Sequence, residues 1–333
     1  MNTPASSPAS SLEPRTPRLL DRLVPVSPQW RIPPRKAERL GWLQFLLGVP
    51  VVIGAQTFAV ILAVITGFAR LTANGGVETL SGGGIVTAIS AAPLVLLGYW
   101  LLVRLIGGRP VIELGGRGAA LREFSVGLAM GALLMCAVIA VLTLLGSYHV
   151  VDVGWNTGVL AGLQAGILAG FTEEILVRGV MLRIIEGWLG TWWALAITAV
   201  FFGVAHLGNP QATVFGAVAI ILEAGILLGA CYLLTRRLWL AIGVHAAWNF
   251  VQGGIFGSDI SGTGSGRGLI EARFTGPDLL TGGAMGVEGS IVAVLLCTTA
   301  GLAMLLAVYR RGLIVPPCWR RPAQAAPEIT QPA

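Results

Sequence analysis

Long apolar runs separated by short polar breaks dominate the chain. Each run is close to the roughly 20 residues that an α-helix needs to cross a bilayer. Eight runs predict eight spans, at about Leu43–Phe68, Gly84–Ile106, Phe124–Gly146, Gly158–Ile185, Trp188–Leu207, Ala212–Leu234, Leu238–Phe256 and Ser290–Tyr309. The runs are continuous and not alternating, which favours helices over a transmembrane barrel. Pro50 and Pro93 fall inside the first two spans and predict kinks there. The expected fold is all-α, a polytopic membrane bundle of about eight helices over residues 41–312, flanked by tails at 1–40 and 313–333. No internal repeat is evident.

Composition removes the soluble alternatives. Of 333 residues, 55% are hydrophobic and 11% charged, with a mean hydropathy of +0.78. Soluble domains carry about 25% charged residues, so a soluble enzyme, a coiled coil and a disordered chain are excluded. The first 40 residues, rich in Pro, Ser and Arg, lack the apolar core of a signal peptide and predict a disordered basic tail. The net charge of +6 would suggest nucleic acid in a soluble protein. Its placement points elsewhere, and no nucleic-acid partner is expected. Nineteen of the 22 lysines and arginines fall in the tails, alternate loops and adjoining helix ends of one side, and only Arg70, Arg267 and Arg273 fall on the other. The positive-inside rule then puts both termini in the cytoplasm and requires an even number of spans. The basic tails are expected against anionic lipid. An arginine-rich, lysine-poor chain suits a high-GC bacterium, so the expected location is a bacterial plasma membrane. Cys136, Cys231 and Cys297 lie in apolar runs and Cys318 in the tail, with no metal-ligand spacing.

Charged residues inside a bilayer cost at least a few kcal/mol each and mark candidate function. The fourth span holds Glu173-Glu174-Ile175-Leu176-Val177-Arg178. Glu174 and Arg178, at i and i+4, can pair, while Glu173 points about 100° away and keeps no such partner. His206 ends the fifth span in Phe202-Gly203-Val204-Ala205-His206, and His245 and Asn249 share one face of the seventh. His149 reads as an exposed loop residue. A carboxylate and an imidazole can activate water, and an amide with an imidazole N–H can donate to an oxyanion. No serine or cysteine is comparably placed beside a base. Hydrolysis by activated water, without an acyl-enzyme, is the chemistry this set favours. Residue counting puts His206 near the outer end of its span and Glu173 and His245 nearer mid-membrane, a mismatch that helix tilt would have to close.

Three motifs in order, Glu173-Glu174-x-x-x-Arg178, Phe202-x-x-x-His206 and His245-x-x-x-Asn249, resemble the CPBP family of intramembrane endopeptidases (the CAAX-protease or Abi family). The resemblance covers about residues 120–255. It implies that Glu173 and His206 activate water, that His245 and Asn249 form the oxyanion site, and that Glu174 and Arg178 support the geometry beside Phe202. Val177 departs from the aromatic residue that many members carry before the arginine. The family has been described both as metallo- and as glutamate-dependent proteases. Zinc, if used, would take Glu173, His206 and His245, and spacing does not decide the point. The implied substrates are membrane-associated peptides or proteins. A non-proteolytic scaffold or immunity factor of this fold and a proton-coupled transporter using Glu173, Glu174 and Glu223 remain as other classes. Glu223 itself can line the cavity or bond a neighbouring helix. The glycine-rich stretch Gly253–Gly289 reads as a connecting loop, and Trp192, Trp193 and Trp239 read as interfacial anchors.

Overall fold

A computed structural model describes residues 19–33, 40–71, 77–79, 82–264 and 266–321. Among these residues, after a short helix α1 (Leu19–Leu23), seven helices are long and apolar enough to cross a membrane. They are α2 (Gly41–Ile65), α3 (Gly83–Ile106), α4 (Arg117–Leu144), α5 (Thr157–Leu189), α6 (Thr191–Gly208), α7 (Val214–Thr235) and α9 (Ile291–Arg310). A shorter helix, α8, has 11 α-helical residues (Trp239–Asn249) continued by six π-helical ones (Phe250–Ile255). It lies inside the bundle, with Leu240 through Asn249 all buried. The chain is an integral membrane protein with a mostly helical polytopic bundle. Helix α2 runs through Pro50 and α3 through Pro93 without a break.

Glycine spacing explains why α8 sits at the centre. Gly158, Gly162, Gly166 and Gly170 recur every fourth residue, so they form one stripe along α5. A Cβ at Gly166 would lie 2.4 Å from the carbonyl oxygen of Ala246 in α8. On the opposite flank, a Cβ at Gly131 of α4 would lie 2.3 Å from the oxygen of Val244. Lipid gives helices no hydrophobic drive to associate, and such small-residue faces let backbones meet and gain dispersion contacts. Gly166→Val should push α5 from α8 and lower stability by about 3 kcal/mol, the upper range for overpacking, read as an earlier thermal unfolding transition in detergent.

Both described termini lie at one end of the bundle, called here the base. There the segment after α1 crosses under the helices. Ser27 N–H donates to the Thr235 carbonyl (3.0 Å), Arg311 donates to Val24 O (3.0 Å) and Arg237 to Pro25 O (2.6 Å). Composition predicts disorder for 1–40, yet residues 19–33 fold because buried guanidinium groups take up their carbonyls; residues 1–18 and 34–39 lie outside the described residues. Buried ion pairs Arg237–Glu123 and Arg236–Glu186 (the latter 2.5 Å) close the same end. Beyond α9, Val315 exchanges hydrogen bonds with Thr191, and Leu313 and Val315 are buried.

At the far end the stretch read as a connecting loop carries structure. Its strand β4 (Ile270–Phe274) pairs antiparallel with β3 (Tyr148–Val153), defined here together with the first ribbon, β1 (Ala69–Leu71) with β2 (Val77–Thr79). Tyr148 donates to Phe256 O (3.1 Å) and ties the ribbon to the end of α8. His149 is part of β3, not a loop, and its Nε2 stands 2.9 Å from Gly146 O and from Thr275 Oγ1. Trp192 and Trp193 are exposed at the start of α6, as anchors would be, whereas Trp239 is turned inward with a buried Nε1.

Candidate active site

The site assembles where α5, α6 and α8 meet. The i+4 stripe that ends at Gly170 continues to Glu174, so this carboxylate faces α8 at zero exposure. Its Oε1 accepts from Arg178 Nη1 at 2.9 Å and from His245 Nδ1 at 2.8 Å. Both bonds are charge-assisted or near so, and they hold the ring of His245 in one orientation. With Nδ1–H spent on Glu174, Nε2 of His245 faces the other acid, 4.0 Å from Glu173 Oε2. Immediately beyond Glu174 the α5 backbone widens into a π-helical stretch, Ile175–Leu182. Another begins just after Asn249 on α8, and a third, Ile221–Gly225, holds Glu223 on α7. Such insertions are frequent at functional sites.

Phe202 of α6 is the packing centre. Arg178 lies 4.5 Å over its ring, while the rings of His206 and His245 stand edge-on at 4.8 and 5.9 Å. Arg178 also donates to Ala224 O at 3.2 Å, joining α5 to α7. His206 occupies the 3-10 turn His206–Gly208 that closes α6. Its Nδ1 is 2.6 Å from Phe202 O, so Nδ1–H donates backward and Nε2 of the neutral ring is left as an acceptor. The depth mismatch expected from residue counting does not keep the groups apart, since Glu173 and His206 line one cavity.

Glu173, by contrast, is open. Its side chain is 38% exposed, and with His206, Asn249 and Phe202 it lines a cavity of about 440 Å³. A second, smaller cavity of about 30 Å³ adjoins it, lined by residues that include His206, His245, Asn249, Glu223 and Glu288. That is room for a single water with polar partners. Every residue singled out by the three motifs therefore borders one of the two cavities or bonds a residue that does.

Glu288 was not anticipated from sequence. It is 3% exposed, next to the start of α9, with Ser261, Gln252 and Trp248 around it, and Oε1 has no hydrogen-bond partner. Burial holds its carboxyl above the ordinary carboxylate range, against the opposing pull of those hydrogen bonds. The only signal in the chain was an acid placed directly before an apolar run. Glu223, left open between two roles by the sequence, lines the small cavity at 2% exposure.

Among the described residues, no group of three or more His, Cys, Asp or Glu is arranged to hold a metal ion. Glu173, His206 and His245 do not close into one. Each imidazole donates Nδ1–H to a protein acceptor and keeps Nε2 as its open nitrogen, while Glu174 is taken by Arg178 and His245. No step below passes through a metal.

No curated protein and no solved structure matches the chain. Residues 154–251, under a third of the chain, match a family model described as type II CAAX prenyl endopeptidase Rce1-like. That stretch runs from just before α5 to just past Asn249 and contains all three motifs. This membrane protein thus carries, at residues 154–251, an Rce1-like domain of the CPBP family.

Proposed function

We propose that the protein is an intramembrane endopeptidase that hydrolyses peptide bonds of membrane-associated peptides or proteins. The observation that carries this is the shared 440 Å³ cavity, where a part-exposed acid, an imidazole and a carboxamide face one space. Glu173 takes a proton from water as it attacks, with Nε2 of His206 as second acceptor orienting the same water. As the carbonyl becomes a tetrahedral oxyanion, the Asn249 amide and the Nε2–H of a doubly protonated His245, its charge balanced by Glu174, supply the stabilising donors. Glu174 and Arg178 are positioning residues, since they act through His245 and Phe202. The proton then passes to the leaving amine, and no covalent enzyme intermediate forms.

Oxyanion donors act on the transition state more than on the ground state. Asn249→Ala should therefore lower kcat by about 10²–10³-fold with KM little changed. The test is hydrolysis of a quenched fluorogenic peptide library by the full chain in lipid nanodiscs. Loss of KM with kcat preserved would remove Asn249 from the oxyanion role, and no hydrolysis by the unaltered chain would remove the peptidase.

A further inference from the structure

The large cavity has a direction, and the chain's cations have one too. Helix α6 starts at the base, where Thr191 bonds Val315, and ends at the far end with His206. Helix α8 also starts at the base and runs outward through His245 and Asn249. The cavity follows them, from Leu176 and Val177 at its floor to Asn209, Ser261 and Thr263 at the far end. Below the floor every residue from Val177 to Ile184 is buried, and the ion pair Arg236–Glu186 lies beneath. Toward the base the cavity is sealed. Above, Thr263 is exposed, and Phe201 and Ala205, also exposed, leave its side open between α6 and α2, where Gln56 stands across.

The base is also the end where arginine collects. Arg104, Arg109, Arg117, Arg122, Arg236, Arg237, Arg310 and Arg311 stand there, against Arg70, Arg267 and Arg273 at the far end. This asymmetry orients the base toward the cytoplasm. Combining the two directions, and resting on the peptidase reading, we infer that substrate reaches Glu173 from the non-cytoplasmic side of the membrane. The lining adds the chemistry of that substrate. Glu173 is the one acid in it and no lysine or arginine is present, while the walls are aliphatic, aromatic or neutral polar. An acidic side chain beside the scissile bond would meet Glu173 in a low-dielectric space, which is costly. The substrate is thus an uncharged, partly apolar segment of a membrane-tethered protein or peptide, lying just outside the outer surface of the bilayer or in its outer leaflet.

Two variants of the full chain, each adding one cysteine to a background in which Cys136, Cys231, Cys297 and Cys318 are replaced by alanine, decide the side. Thr263→Cys reports the cavity mouth and Trp319→Cys the base, and both positions are exposed. They are expressed in a bacterial plasma membrane and treated with a membrane-impermeant maleimide in right-side-out and in inverted vesicles, with labelled positions read by peptide mass. Thr263→Cys should label in right-side-out vesicles and lose labelling in inverted ones, and Trp319→Cys should do the reverse. A membrane-impermeant quenched peptide with neutral residues should be cleaved by right-side-out vesicles alone, and not by those carrying Glu173→Gln. Replacing a neutral residue beside the scissile bond by Asp should abolish that cleavage. Labelling of Thr263→Cys only in inverted vesicles, or cleavage only there, overturns the inference and leaves the peptidase standing. Labelling as expected with no Glu173-dependent hydrolysis in solubilised protein overturns the peptidase and the substrate with it.

Discussion

Glu173→Gln should abolish peptide hydrolysis while leaving the bundle intact. The amide keeps the size and polarity of the carboxylate but cannot accept a proton from attacking water. General-base catalysis contributes about 10²–10⁴-fold, so residual hydrolysis should fall to that fraction or below detection. Stability should hardly move. The side chain is 38% exposed, Oε2 has no hydrogen-bond partner, and Nε2 of His245 stands 4.0 Å away. The paired measurement is fluorogenic-peptide turnover and thermal unfolding on the same preparation. An unchanged turnover would show that another group activates water. A collapse of stability equal to that of an Arg178 variant would mean Glu173 is part of the scaffold.

Arg178→Ala should do the opposite first, by breaking the scaffold. Arg178 is 1% exposed and holds Glu174, the Ala224 carbonyl and the face of Phe202 at once. Its removal leaves the Glu174 carboxylate buried with only His245 to compensate. Removing one partner of a buried pair costs about 3–5 kcal/mol, and activity should vanish with the displaced Phe202 and His245. Arg178→Lys should not rescue, because an ammonium cannot lie flat on a ring while forking to two acceptors. The informative variant is the double change Glu174→Leu with Arg178→Met. A buried pair replaced by apolar residues of similar volume is often tolerated, so most of the stability should return. Activity should not, since Nδ1 of His245 then has no acceptor. Thermal unfolding and turnover on the three variants separate the two roles. A double variant that recovers both would show that the pair serves folding alone.

The motifs were legible because each charged residue stands out against an apolar helix, and i, i+4 spacing has one geometric meaning. That reasoning placed Glu174 against Arg178 and left Glu173 open, as the distances have it. It missed the bond from Glu174 to His245, which joins residues 71 apart in sequence. A sharper reading existed in the chain, since the four-residue glycine period of α5 extends to Glu174 and points it at whatever helix those glycines touch. Nothing comparable marked Glu288, because a single acid before a span looks the same whether it faces water or a cavity. Nor did tail composition reveal that residues 19–33 pack, because the groups that hold them are arginines 200 and more residues further on.

Local chemistry alone settled that this chain crosses a membrane, that it does so many times, and where the polar residues inside its apolar runs lie. Those properties depend on helix period, run length and the price of burying charge, all of which act within about 20 residues. That Glu174 also holds His245, that the two imidazoles meet across one phenylalanine ring, and that the cavity is sealed at the base and open at the far end came only with the packed bundle. Such facts are set by which helices approach closely and at what height, and contacts between distant segments leave no periodic trace in either segment by itself.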